Sequence, residues 1–239
     1  MTEKMTTYFC EYEILPESNT RETCMTLFGG MSEDDDKKEL GNVKLLGRWA
    51  CVGELKGFCI AQSKNAIDLQ KWLNVWVPMA NIKVVPCLDD NEHRELLLGN
   101  KPPYSVSYDN ISEGAKENET LYFIKYTFHA GKRDTGFEAF KNMTLEADKA
   151  DSGVCTSYGR WHVPSQGCGF AVASSPSACD IYKWAYNWNS LCDCEIIPVT
   201  TDSETRKIIR ERPGFDQKHS SIMKQLSGDK SCFSWLLGN

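Results

Sequence analysis

Gly47-Arg48-Trp49 recurs 112 residues later as Gly159-Arg160-Trp161, and the recurrence extends well beyond the triplet. At the same offset Gly57-Phe58 falls on Gly169-Phe170, Ala61 on Ala173 and Ser63 on Ser175. Asp68, Lys71, Trp72 and Trp76 fall on Asp180, Lys183, Trp184 and Trp188. Pro86, Asp90, Glu92 and Arg94 fall on Pro198, Asp202, Glu204 and Arg206. These fifteen identities need no gap and take in six of the seven tryptophans, so they mark a duplicated unit and not a chance match. Upstream, Tyr8-Phe9-Cys10-Glu11-Tyr12 resembles Tyr122-Phe123-Ile124-Lys125-Tyr126 at an offset of 114.

Each copy carries the same order of patterns. Alternating, aromatic-rich stretches at 6–15 and 121–129 read as strands, because period-two alternation puts one face on a core. Residues 133–149 read as one helix, with Phe137, Phe140, Met143 and Leu145 near one face. The first copy has a weaker helix at 17–30 and then an acidic loop at Glu33–Asp36. Hairpins follow at 43–52/57–63 and 155–163/169–175. Ser63 and Ser175 are the expected caps of helices whose buried stripes are Leu69, Trp72, Leu73, Trp76 and Ile181, Trp184, Ala185, Trp188. Strands at 81–87 and 193–199 close the units. The order β-α-β-β-α-β is the ferredoxin-like split unit, so the expected class is α+β with two such repeats. The expected organisation is repeat one at 6–98, a polar linker at 99–119, repeat two at 120–206, and a C-terminal helix and tail at 207–239.

Composition narrows the function classes. Net charge is −6, the wrong sign for a general nucleic-acid binder, and no run of about 18 apolar residues suggests a membrane span. Neither nucleic acid nor membrane is expected as a partner. Eleven cysteines are an odd number and show no Cys-x-x-Cys pair. With polar residues from Met1 to Thr7, they read as free thiols in a soluble, reducing compartment, the cytoplasm or, after removal of a transit peptide, the chloroplast stroma. His93, His129, His162 and His219 are scattered, so neither a metal nor another cofactor is expected.

Gly159-Arg160-Trp161-His162, Gly169-Phe170-Ala171-Val172, Trp184, Trp188 and Glu195-Ile196-Ile197-Pro198-Val199 together resemble a domain-of-unknown-function family in the dimeric α/β-barrel superfamily. The resemblance is fuller over 121–206 than over 7–94, where Ala50 stands in place of the histidine and Cys87 in place of Val199. It implies two ferredoxin-like sheets packed face to face, here as an intramolecular barrel-like pseudo-dimer. The wider superfamily holds cofactor-free monooxygenases, haem enzymes, lyases and ligand binders, so the resemblance implies no single activity.

Strand parity puts Arg160 and His162 on one face and Trp161 on the other. The tryptophan face is expected to meet the helices, and the arginine face to look across the pseudo-dimer. Arg48, Arg160 and His162, with Glu11 and Lys125 from the first strands, are then candidates for a small anionic ligand, His162 also for a general base. The competing reading pairs each arginine with a carboxylate as a structural brace. Asp90–Arg94 and Asp202–Arg206 read as surface helix pairs. The chain ends in an apolar peptide on a polar tether, with Phe233, Trp235, Leu236 and Leu237 as candidate assembly residues. The leading expectation is therefore a non-enzymatic, self-assembling scaffold whose partners are copies of itself. The alternative is a small-molecule binder or cofactor-independent enzyme using Arg48, Arg160 and His162.

Overall fold

The structure is a computed structural model that describes residues 5–106, 111 and 114–228. Its first elements are β1 (Thr6–Ile14), α1 (Ser18–Gly30), α2 (Glu33–Leu40), β2 (Lys44–Cys51), β3 (Lys56–Ser63), α3 (Ala66–Asn74), β4 (Ala80–Asp89) and α4 (Asp90–Leu98). The second series is β5 (Thr120–Phe128), α5 (Arg133–Asn142), α6 (Leu145–Ser152), β6 (Thr156–Val163), β7 (Cys168–Ser175), α7 (Ala178–Trp188), β8 (Cys192–Thr201) and α8 (Asp202–Arg210). A last helix, α9, spans Phe215–Gly228. Two ferredoxin-like β-α-β-β-α-β repeats are thus present.

Contacts divide the chain into two compact units, Met1–Val84 with Thr200–Asn239, and Val85–Val199. The helix that follows each repeat in sequence therefore belongs to the other unit: α8 packs in the first and α4 in the second. Capping explains why both helices start where they do. Asp89 accepts from the Glu92 amide while Glu92 reaches back to the Asp89 amide, and Thr201 and Glu204 repeat the arrangement.

In the first unit β3 is central, antiparallel to β1 and β2, with Cys10 opposite Cys59 and Arg48 also opposite Cys59. In the second, β7 lies between β5 and β6, β5 also pairs β8, and the end of β4 adds Leu88 opposite His162. Each sheet has two unlike faces. Leu69, Trp72 and Leu73 of α3 pack on Cys10, Cys59 and Ala61. In the second unit Ile181 and Trp184 pack on Ile124, Ala171 and Ala173. By register, Arg48 and Arg160 share this helix-covered face, whereas Trp49 and Trp161 lie opposite Phe58 and Phe170 on the other. The face assignment from sequence is therefore reversed: arginines, not strand tryptophans, meet the helices. Parity separated the two faces correctly but carries no information about which one a helix covers.

The Gly-Arg-Trp triplet has a packing cause. The Trp49 ring folds back over Gly47, where a Cβ would come within 2.4 Å of it, and Trp161 covers Gly159 at 2.3 Å. Both tryptophans are only 1% exposed. Three local expectations need correction. The acidic segment from Glu33 is helix α2 and not a loop, because Ser32 and Asp35 form a capping box and four acids sit in its positive first turn. The helix expected over 133–149 is two helices, restarted by a Thr144 cap. The caps of α3 and α7 are Asn65 and Ser177; Ser63 and Ser175 instead donate to the carbonyls of those two residues.

Candidate functional site

Each unit buries one charged cluster, and the two clusters correspond residue by residue. In the first, Arg48 donates to Asp202 through Nε and Nη2, both at 2.7 Å, and to Asp36 at 3.2 Å. Arg206 donates to Asp36 at 2.7 Å and to the Met31 carbonyl at 2.9 Å. The Phe28 ring lies under both guanidiniums, 4.8 Å from Arg48 and 4.6 Å from Arg206. In the second, Arg160 pairs with Asp90 at 2.7 Å and Asp148 at 3.0 Å. Arg94 donates to the carbonyls of Phe140 and Met143, with the Phe140 ring 3.9 Å from its guanidinium. Two arginines and two aspartates make up each cluster; Arg48 and Arg160 pair bidentately, whereas Arg94 Nε and Nη2 and Arg206 Nε have no hydrogen-bond partner among the described residues.

Burial opposes the charges, but the partners win. Asp202 and Asp90 hold Arg48 and Arg160 charged, well above the ordinary arginine range. Burial pushes Asp90 up, yet Arg160 and His162 outweigh it and keep the carboxyl well below its usual range. Asp90, at 1% exposure, and Arg94, also at 1%, are thus not the surface pair expected from their spacing. Spacing of four shows only that two side chains share a helix face, and here that face points into the protein.

The clusters differ in what completes them. His162 lies on β6 between Tyr126 and Asp90: Nε2 is 2.6 Å from Asp90, and Nδ1 is 2.5 Å from the Tyr126 hydroxyl. A carboxylate only accepts, so Nε2–H donates to Asp90 and Nδ1 accepts from Tyr126. His93 lies beside it, tilted by 39° with ring centroids 4.2 Å apart, stacks on Phe140 and meets Phe137 edge-on. Neither His93 nitrogen has a hydrogen-bond partner among the described residues. In the first unit Ala50 and Thr205 occupy the corresponding positions, and Tyr12 turns its hydroxyl to the Trp49 carbonyl at 3.3 Å.

Smaller side chains leave space. The first unit has a cavity of about 380 Å³, lined by Tyr12, Met25, Ala50, Trp72 and Trp76, with Arg48, Thr205, Glu54 and Lys56 also in its lining. The corresponding cavity of the second unit is only about 80 Å³, because Phe128, Phe137 and His162 fill it. A carboxylate anchors the tryptophan wall in both. Trp72 and Trp76 donate to Glu39, and Trp184 and Trp188 both donate to Asp151 at 2.8 Å.

Glu11 and Lys125, by register, lie opposite Phe58 and Phe170, on the face away from the clusters. The carboxylates that brace the arginines are Asp202 and Asp90, with Asp36 and Asp148, and not Glu11. His162 has both nitrogens engaged, and burial lowers its pKa against the opposing pull of Asp90. Sequence reading missed Phe28/Phe140, Asp36/Asp148 and Glu39/Asp151, although each pair repeats at the offset of 112.

Haem, one cofactor of the wider superfamily, does not fit these residues. No histidine is among the residues that line the larger cavity; of its thiols, burial pushes Cys24 up to about 12 and the contact with Cys10 together with burial raises Cys59, and burial also keeps the Tyr12 phenol protonated. His162 has no nitrogen left to give an iron. Among the described residues no group of three or more His, Cys, Asp or Glu side chains is placed to hold a metal ion.

The sequence pattern of one family matches residues 6–101 and again 120–212; it is described as a domain of unknown function, DUF3303. The chain belongs to this family. No curated protein matches the chain. Among solved structures, the DUF3303 chain is similar to chlorite dismutase of Candidatus Nitrospira defluvii. A tryptophan-to-phenylalanine variant of that protein in complex with cyanide gives 7% identity, 88% of this chain and 97% of that one, and a TM-score of 0.54. An arginine-to-alanine variant gives 6% identity, the same coverages and a TM-score of 0.53. A putative monooxygenase from Lactobacillus acidophilus NCFM is more distant, at 9% identity, 84% and 95% coverage and a TM-score of 0.45.

The scaffold expectation is overturned. The fold is shared with an enzyme over most of both chains, and each unit of this DUF3303 protein holds a buried Arg–Asp cluster beside a cavity. The tail on which that expectation rested, with Phe233, Trp235, Leu236 and Leu237, lies outside the described residues. None of the described helices is long and apolar enough to cross a membrane. Among the described residues all ten cysteines are free thiols.

The second cluster makes folding sensitive to acid. Burial and the neighbouring His162 lower the pKa of His93 to about 3, from an ordinary value near 6.5. The folded state therefore binds fewer protons than the unfolded state, and stability falls as pH drops below about 6.5. We expect His93→Phe, which keeps the stacking without the unpaired nitrogens, to be at least as stable at pH 7. It should also lose less stability than wild type between pH 6.5 and 4, the difference approaching about 1.4 kcal/mol per pH unit. Urea unfolding at the two pH values checks this; equal losses would contradict it.

Proposed function

We propose that this DUF3303 protein is a small-molecule binder whose site is the cavity of its first unit. The observation that carries the reading is the contrast between the duplicated clusters: one cavity of about 380 Å³ against one of about 80 Å³. Ligand cavities run from roughly 300 to 1,000 Å³ with apolar walls and few polar groups, and the larger one meets that description. Its ligand has an apolar body against Trp72, Trp76 and Met25, and a polar end near Arg48, Tyr12 and Thr205. A ligand carboxylate would reach Arg48 only by competing with Asp36 and Asp202, so an uncharged polar end is the better match.

A cofactor-independent enzyme is the second reading. It is favoured by the line Tyr126–His162–Asp90, whose hydrogen bonds run in the order a proton relay requires.

Calorimetric titration with 2-naphthol, an aromatic body with one hydroxyl, tests the binding reading. We expect saturable binding with a Kd on the order of 10–100 μM. No saturable heat up to millimolar probe would overturn it.

A further inference from the structure

We propose that the ligand of the first unit's cavity is a neutral aromatic azole, a ring presenting one N–H donor and one nitrogen acceptor. The inference rests on the binding reading above and deepens it, using the second unit as its template. There, an azole already completes the cluster: the imidazole of His162 accepts from the Tyr126 hydroxyl and donates to Asp90. In the first unit the surrounding groups are retained while the azole is missing. Tyr12 corresponds to Tyr126, Asp202 to Asp90, Arg48 to Arg160 and Phe28 to Phe140, but Ala50 stands where His162 does.

Tyr12, Arg48 and Phe28 line the cavity; Asp202 is not among its lining residues, and a ring would meet it only by standing where the His162 side chain stands in the second unit. The Tyr12 hydroxyl lines the cavity, and its 3.3 Å bond to the Trp49 carbonyl is long for an O–H donor. Arg48 holds Asp202 by two 2.7 Å bonds, just as Arg160 fixes Asp90. A carboxylate anchored in this way can accept from a ring N–H, and the phenol can donate to the other ring nitrogen. The space freed by Thr205 and Met25, where the second unit has His93 and Phe137, admits a ring larger than imidazole. A fused azole, a ring system of the benzimidazole or purine class, therefore fits better than a free imidazole.

Benzimidazole and indole make a matched pair, since indole keeps the shape and the N–H but lacks the acceptor nitrogen. Calorimetry on the full-length protein at pH 7.5 should show benzimidazole binding about tenfold tighter than indole. Tyr12→Phe should remove that preference, and Ala50→His, which reproduces the second unit's arrangement, should abolish benzimidazole binding. Equal affinity of the two probes, or a preference that survives Tyr12→Phe, would overturn the azole assignment while 2-naphthol binding left the cavity reading standing. Failure of benzimidazole, indole and 2-naphthol alike would overturn both.

Discussion

Asp90→Ala should destabilise the protein by about 3–5 kcal/mol, the usual cost of leaving a buried charge without its partner. Asp90 is the acceptor for Arg160 through both carboxylate oxygens and for His162 through one, and its side chain is 2% exposed. Its removal takes from Arg160 its nearest carboxylate and from the buried His162 N–H its acceptor. At about 2–4 °C per kcal/mol for a chain of this size, the melting temperature should fall by roughly 10 °C. The control is Asp34→Ala, which breaks an exposed pair with Lys37 and should cost less than about 0.5 kcal/mol. Similar losses for the two variants would show that the cluster is not a source of stability.

Ala50→Phe should reduce 2-naphthol affinity at least about a hundredfold with only a small change in stability. Position 50 lies on the cavity wall, and a phenyl ring there occupies the space a ligand needs. The cavity is large enough to accept the added atoms, so the overpacking penalty of about 1–3 kcal/mol seen in filled cores should be largely avoided. Calorimetry measures the affinity, and a thermal melt shows that the variant is folded. Unchanged binding in a folded Ala50→Phe protein would place the site elsewhere.

Much of the architecture was legible in the sequence. The offset of 112 exposed the duplication, and alternating and helical periods located most strands and helices, because burial imposes those periods on the chain. Two things were not legible. Parity separated Arg48 from Trp49 but could not say which face α3 would cover, since that depends on packing between elements distant in sequence. The exchange of α4 and α8 was hidden for a related reason: a capping box fixes where a helix begins, not which sheet it packs on. That exchange turned the expected surface pair Asp90–Arg94 into buried cluster members, and drew Asp202–Arg206, which does pair at 3.4 Å, into the other cluster. Other cluster residues were within reach. Phe28 and Asp36 align with Phe140 and Asp148 at the same offset as the Gly-Arg-Trp triplet, and carrying the comparison upstream would have exposed them. The substitution of His162 by Ala50 was visible from the start. Read alone it suggests a lost site; next to the cavity it marks the place where a site opens.

The same cluster is open in the first unit and filled in the second. A crystal structure of the full chain grown with 2-naphthol tests it most directly. We predict ligand density between Ala50, Trp72 and Trp76 in the first unit, with His162 still held between Tyr126 and Asp90 in the second. A first-unit cavity closed over by its own side chains, or ligand bound only elsewhere, would show that the cluster is not open there.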